Sequence, residues 1–439
     1  MTYEEFKTEL LEKSKDFGCE AAEVYYSESE SFSVQIQDKN IDKYKVANDI
    51  SLSLRVVYNG HDGFASTEIF ENAEDLIKHA IDNAKTVDTT EDHPMQGKSV
   101  YASIKEPEQP LCKLSERECI DLARSIEEKA FECDPRVKRT MGCTVGITKN
   151  KVAISNTLGL DAFHESINSG TNVTVVMDDN GEENVGYAYY DGINAHKFDE
   201  LVDEAVRECV AKFSAKPVPS GEYKVLFTNK GFIMMLELFS GIFSADAAQK
   251  GLSLLAGKEG EMIASECVTL CDDPLNTMCP MPFDAEGVPA RFKTVIENGR
   301  LITLLHSLKT AKKAGIESTG NGTRTGSCVP TNFYIKPGSK SFDELVQGDK
   351  VLVISELDGA GTGVNEISGE FSLSARGQLY ENGVCVSAVN QITVAGSFFD
   401  LMKNIIDVGN DMVYSMVFSA ACGYTGSPCV LVNKLVVAG

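Results

Sequence analysis

The sequence predicts an α+β fold in two domains, and three observations carry that expectation. The chain has 439 residues, enough for two or three domains at roughly 100 to 200 residues each. Before residue 217 a helical pattern, an alternating strand pattern and a second helical pattern follow one another twice. Pro217, Pro219 and Gly221 then punctuate the chain, and a different pattern begins. The expected division is 1–216, an N-terminal domain of two similar helix–meander–helix lobes at about 1–90 and 110–216, and 217–439, a C-terminal domain of mixed antiparallel sheets with helices.

Taken in order, residues 3–17 place Phe6, Leu10 and Leu11 on one side of a helix. From Ala21 the chain alternates apolar and polar residues around the turn signals Asn59-Gly60 and Asp62-Gly63, the pattern of an antiparallel meander. Asn72 is the expected cap of a second helix, with Glu74 and Asp75 in its first turn and Leu76, Ile77, Ala80, Ile81 and Ala84 on one face. The polar stretch 86–110 reads as a linker or surface excursion. Ser115 and Glu118 form a capping-box pattern ahead of Ile120, Leu122, Ala123 and Ile126. Three further strands and a helix from Phe198 complete the second round. Beyond Gly221 the expectation is a strand, an apolar helix from about 231, helical chain to about 256, then strands and glycine-rich loops. A helix over Ser397–Asp407 and a last apolar strand from Cys429, buried on both faces or at an interface, complete the chain.

The charge balance narrows function. With 41 basic and 65 acidic residues the formal net charge is -24, which opposes phosphate binding unless a local basic face offsets it. No such face is evident; Lys312, Lys313 and Arg324 read as surface decoration. Direct nucleic-acid binding is therefore not expected. The first residues carry no signal-peptide pattern, no apolar run approaches ~18 residues, and thirteen cysteines stand at irregular spacing without CxxC pairs. A cytoplasmic protein with reduced thiols and no membrane span is expected.

Candidate chemistry is sparse. The six histidines at 61, 79, 93, 164, 196 and 306 make no HExxH pattern. Cys267, Cys271 and Cys279 lack an evident fourth ligand, and Cys422 has no nearby histidine to act as its base. Glu237 is the sharpest anomaly, a carboxylate within GFIMMLELFSGIF, where it faces either a cleft or a pocket. Gly359, Gly361, Gly363 and Gly369 form no nucleotide-binding motif; they suit close backbone approach or a peptide groove, among the acidic Glu356, Asp358, Glu366 and Glu370.

Several ordered blocks carry a resemblance: DDP at 272–274, PFDAEGVPARFKTVIENGRL at 282–301, STGNGTR at 318–324, PTNFYIKPG at 330–338, GAGTGVNEISGEFSLSARGQLYENG at 359–383 and ITVAGSFFDLMKNIIDVGND at 392–411. With the N-terminal opening and meander, they resemble the TldD/PmbA family over nearly the whole chain, proteins often labelled modulators of DNA gyrase. The resemblance implies a two-domain protomer whose paired C-terminal domains enclose a peptide-cutting cavity. The TldD branch carries HExxxH and a later Cys as zinc ligands. Here Leu236 and Gly241 stand at the histidine positions, Glu237 matches the glutamate, and Cys422 matches the cysteine. This departure resembles the PmbA branch, also called TldE, which lacks the zinc motif. The implied function is a noncatalytic, metal-free subunit, without a cofactor, that helps a TldD-like zinc peptidase bind unfolded peptide or protein. The chain is also expected to pair with itself in isolation. The alternatives are a homodimeric metallopeptidase using Glu237, Cys422 and an unconventional ligand set, and a peptide-binding scaffold without proteolysis.

Overall fold

In a computed structural model the chain is described over residues 1–86, 94–415 and 423–439. Its first part is built on one six-stranded antiparallel sheet. Helix α1 (Tyr3–Asp16) leads into β1 (Ala21–Gln37), β2 (Asn40–Tyr58), β3 (His61–Thr67) and α2 (Ala73–Thr86). The same sequence of elements returns as α3 (Glu116–Cys133), β4 (Val137–Asn156), β5 (Asp161–Asp179), β6 (Glu182–Asp191) and α4 (Phe198–Val210). The strand order β3-β2-β1-β4-β5-β6 shows how the two rounds join. β1 and β4 pair antiparallel from Glu23↔Asn156 to Ile36↔Cys143, fusing the meanders into one sheet.

The helices pack where alternation presents an apolar face. Phe6, Leu10 and Ile77 meet Val24 and Leu54 in one cluster, whereas Ile126 and Val202 meet Val34, Val145 and Val175 in another. β1 therefore serves both clusters, with its first residues in one and its last in the other. Two glycines hold equivalent places. A Cβ on Gly63 of β3 would stand 1.9 Å from the Ala80 carbonyl oxygen of α2, and one on Gly186 of β6 would stand 2.0 Å from that of Ala205 in α4. Each round thus uses a missing side chain to seat its second helix.

The expected capping box forms at Ser115/Glu118, and a second, which the sequence reading did not single out, forms at Thr2/Glu5. Asn72 stands where the cap is expected, directly before α2, and its carbonyl accepts from the Asp75 and Leu76 N–H groups at 3.2 and 3.4 Å. It adopts φ 58°, and its side-chain amide donates to the Asp75 carboxylate. The described part of the linker is more embedded than a surface excursion. Gln109 is buried, and the Tyr101 hydroxyl donates to the Gly287 carbonyl at 2.9 Å.

The second part starts with β7 (Gly221–Phe227), α5 (Asn229–Leu238) and α6 (Ala245–Gln249). β8 (Leu270–Asp272), β9 (Lys293–Glu297), β10 (Arg300–Leu301), α7 (Leu308–Ala314), β11 (Phe333–Ile335) and α8 (Phe342–Leu345) follow. Then come β12 (Val351–Asp358), α9 (Ala360–Gly363), β13 (Val364–Asn365), β14 (Glu370–Glu381), β15 (Val384–Ser397) and α10 (Phe398–Lys403). β16 (Ile405–Val408), β17 (Val413–Ser415), β18 (Thr425–Ser427) and β19 (Val430–Ala438) complete it.

One sheet has the order β10-β9-β8-β11-β18-β17. The other runs β12-β7-β19-β15-β14, and β14 pairs again with β12, so this sheet closes on itself. Most pairs are antiparallel; β7–β12 and β11–β18 are parallel. Phe227, Phe232, Leu236, Phe239, Leu352, Phe371, Phe398 and Val432 belong to the large core between these layers.

Two expectations are corrected. No helix follows α6 as far as residue 256. The expected helix at Ser397–Asp407 is only α10, and the chain re-enters a strand at Ile405 because that strand pairs with β19. β19 is buried through Val430–Val432 but then alternates, with Val436 52% exposed. None of the described helices is long and apolar enough to cross a membrane.

Candidate functional site

Helix α5 carries the position that the sequence singled out. Thr228 caps it, with its side-chain oxygen accepting from the Gly231 N–H at 3.4 Å. A Cβ on Gly231 would lie 2.9 Å from the Ile354 carbonyl oxygen, so the helix starts hard against β12. Gly231 to Glu237 are all buried. Glu237 is only 5% exposed and is not without a partner; Ser240 Oγ donates to its carbonyl at 3.0 Å. The expectation of a carboxylate at an open cleft edge is thereby corrected, since the helix is packed into the core from Gly231 to Glu237, while Lys230 at its start is exposed.

The neighbouring positions have no metal-binding chemistry. Leu236 is fully buried in the core. Gly241 lies beside the glycine-rich segment, and a Cβ there would stand 2.9 Å from Glu366 Oε2. A catalytic zinc needs about three nitrogen, sulfur or oxygen ligands; an isobutyl group and a glycine supply none. The residues at these positions do not fit the metal. Cys422 and His93 lie outside the described residues. Among the described residues no group of three or more His, Cys, Asp or Glu side chains is arranged to hold an ion. Cys271 is buried in β8, whereas Cys267 is exposed.

The four glycines divide. Gly363 and Gly369 serve close approach, since added Cβ atoms would meet the Ser372 carbonyl oxygen at 2.2 Å and the Phe399 ring at 2.6 Å. Gly359 and Gly361 face open space.

The resemblance-bearing blocks converge on a buried polar network. Asp272 is fully buried and accepts from Lys293 Nζ at 2.8 Å, Asn321 Nδ2 at 2.7 Å, and the backbone N–H and hydroxyl of Thr331 at 2.7 and 2.8 Å. Four donors offset the cost of burying that charge. Asp284 accepts backbone N–H groups of Glu286, Val288 and Gly322 at 2.9, 2.9 and 2.7 Å. Burial nevertheless lifts its carboxyl to about 6. Burial, with the Asp284 charge beside it, raises Glu286 to about 8. Arg324, expected as surface decoration, instead bonds Glu23 of β1 at 2.6 Å. Glu23, Arg55, Glu286 and Arg324 line a cavity of about 310 Å³ there. Sequence reasoning passed over these acids, although acidic residues inside otherwise apolar blocks were the available signal.

A larger cavity, about 650 Å³, opens between β6 and α4 on one side and the start of α5, β12 and β14 on the other. Tyr189, Asp191, Lys212, Asn229, Glu356 and Tyr414 are among its walls. Its volume lies in the range that accommodates a small ligand or short peptide segment. Glu237 and the four candidate glycines do not line it.

Models described as PmbA/TldA metallopeptidase domain 1, central domain and C-terminal domain match residues 22–84, 109–213 and 220–439. Metalloprotease PmbA of Escherichia coli O157:H7 is 26% identical over 404 residues, which cover 90% of this chain and 88% of that protein. A metalloprotease TldD homolog of Buchnera aphidicola is 25% identical over 435 residues, covering 92% and 87%. Among solved structures, a Thermotoga maritima protein labelled a modulator of a DNA gyrase superposes with a TM-score of 0.92 at 34% identity over all of both chains. TldE from Thermococcus kodakarensis shares the fold with a TM-score of 0.89 at 21% identity, covering 99% of this chain and all of its own.

Proposed function

The chain belongs to the PmbA/TldD family of metallopeptidase-related proteins, and from that premise we propose that it is a noncatalytic, metal-free, TldE-like subunit that holds unfolded peptide for a TldD-like zinc peptidase. The observation that carries this reading is the chemistry of Leu236 and Gly241, which offer no lone pair where the TldD pattern has two histidines. Zinc then belongs to the partner alone. The division into domains at 1–216 and 217–439, with a dimer interface in the second, is part of the same reading. So is a cytoplasmic location.

Peptide is held by strand addition near residues 356–377. In support, β7 pairs with β12 as far as Ile354, while β12 itself runs on to Asp358. The test is metal analysis of purified protein coupled to cleavage of unstructured peptides, with and without a TldD-like partner. No stoichiometric zinc, no cleavage alone and cleavage with the partner is the expected result; chelator-sensitive cleavage by this chain alone overturns it.

The burial of Glu237 favours a second reading, a homodimeric metallopeptidase using Glu237 and Cys422. Zinc that is lost on Cys422→Ser would support that reading; metal-free, inactive protein would sink it. A scaffold without proteolysis would be promoted by the absence of any zinc-bearing relative among co-purifying proteins.

A further inference from the structure

Five Asn-Gly pairs occur in the chain, at 59–60, 180–181, 298–299, 321–322 and 382–383. All but the pair at 321–322 share one backbone setting. Tyr58↔His61, Asp179↔Glu182, Glu297↔Arg300 and Glu381↔Val384 are the last pairs of antiparallel hairpins. Each hairpin is closed by a two-residue turn whose exposed asparagine has φ between 46° and 58°. What separates Asn382 from the rest is the partner of the glycine amide that follows it.

The Gly60 N–H donates to Glu20 Oε1 at 3.1 Å, and the Gly181 N–H to Asp178 Oδ1 at 3.0 Å. The Gly299 N–H donates to the Val268 carbonyl at 2.8 Å, and the Gly322 N–H to Asp284 Oδ2 at 2.7 Å. Among the described residues the Gly383 N–H has no acceptor. Gln347 packs against the Gly383 α-carbon, but its Nε2 donates to the Asp343 carbonyl at 3.0 Å.

An amide held by a carboxylate or a carbonyl keeps its proton and its orientation. A free one on glycine, with no side chain to hinder approach, gives its proton to hydroxide, and the nitrogen then attacks Cγ of the preceding asparagine. The Gly383 N–Cγ bond forms, the Cγ–Nδ2 bond breaks, and the leaving nitrogen takes a proton from water and departs as ammonia. Water opens the resulting succinimide at either carbonyl and regenerates an acid.

We infer that Asn382 is a site of spontaneous deamidation in the folded chain, converted to an aspartyl or isoaspartyl residue while the other Asn-Gly pairs are protected. Either product adds a negative charge beside Glu381, which lies 3.5 Å from Lys350. The isoaspartyl form also adds a methylene to the main chain of the turn. The strands joined by this turn carry Arg376, Gln378, Val389 and Asn390 to the wall of the 650 Å³ cavity, so the modification acts on the hairpin that shapes it. This chemistry is independent of the proposed peptide-holding role.

The test ages folded full-length protein in neutral buffer and quantifies the acid form of each Asn-Gly asparagine by peptide mass mapping. Asn382 is expected to convert at least about tenfold faster than each of the others, the rate factor that one charge-assisted hydrogen bond is worth. In the urea-unfolded chain that advantage disappears. Glu20→Ala, at an exposed position, frees the Gly60 amide and brings Asn59 up to the rate of Asn382. Conversion of another asparagine at a comparable rate in the wild type, no conversion at Asn382, an advantage that persists on unfolding, or a Glu20→Ala chain in which Asn59 stays slow overturns the inference.

Discussion

Arg324 Nη1 lies 2.6 Å from Glu23 Oε1 across a sequence separation of 301 residues, with its guanidinium 4.9 Å from the Tyr25 ring centroid. The pair joins the central strand of the N-terminal sheet to a loop of the C-terminal part. Glu23 also accepts from Asn156 Nδ2 at 3.2 Å, so β1 and β4 meet the C-terminal chain at one buried point.

Removing the arginine strands a carboxylate whose side chain is 2% exposed. Arg324→Ala is expected to lose about 3 kcal/mol, because an uncompensated buried charge costs more than the pair itself contributes. Adding Glu23→Gln should recover part of that loss. Denaturant unfolding of the single and double variants checks it; strictly additive losses would count against direct coupling.

Asp272 has the larger structural role. Asp272→Ala leaves Lys293, 8% exposed, without its anion and three further donors without their acceptor. A loss of roughly 3–5 kcal/mol is expected, read as a fall in Tm. Asp272→Asn should cost less, since it keeps one acceptor oxygen while turning an amide toward other donors. An unchanged Tm in Asp272→Ala would refute the network as a determinant of stability.

Glu286 predicts a pH dependence. Its folded carboxyl titrates at about 8, above the ordinary 4.5, so the folded chain binds more protons than the unfolded chain between those values. Stability from this group is complete below about 4.5 and is lost as pH rises through about 8, with a slope of up to roughly 1.4 kcal/mol per pH unit. Glu286→Gln removes that loss, so its Tm relative to wild type should improve from pH 5 to pH 9. A difference that does not change with pH would contradict the assignment.

Glu237 separates the two functional readings. As a buried structural carboxylate beside a lost zinc motif, it should tolerate Glu237→Gln with partner-dependent peptide cleavage unchanged within about twofold. Removal of a general base would instead lower the rate by roughly 10² to 10⁴. A fall of that size, with folding intact by circular dichroism, would restore Glu237 to a catalytic role.

Local chemistry made much of the first half legible. The apolar stripe Ile77, Ala80 and Ala84 and the Ser115/Glu118 box depend on residues three or four apart, so chain order contains them. Helix α5 hides its period because Gly231 to Glu237 are all buried, yet that same burial makes Glu237 conspicuous. Asn72 precedes α2 as its composition suggests, but its left-handed backbone and its bond to the Asp75 carboxylate are not legible from the residue type, since Asn suits both a cap and a left-handed turn. Asp191 sits in an ordinary alternating strand, and nothing within nine residues marks it as different.

Chain order already contains the repeated run of helices and strands, the acidic charge, and the absence of imidazoles at positions 236 and 241. Those properties belong to single residues or near neighbours along the chain. Tertiary assembly alone fuses the two meanders through β1 and β4, brings Arg324 to Glu23, and leaves Asp191 Oδ2 buried without a hydrogen-bond partner among the described residues. Burial and pairing of a polar group depend on which distant elements meet around it, and chain assembly sets those distances.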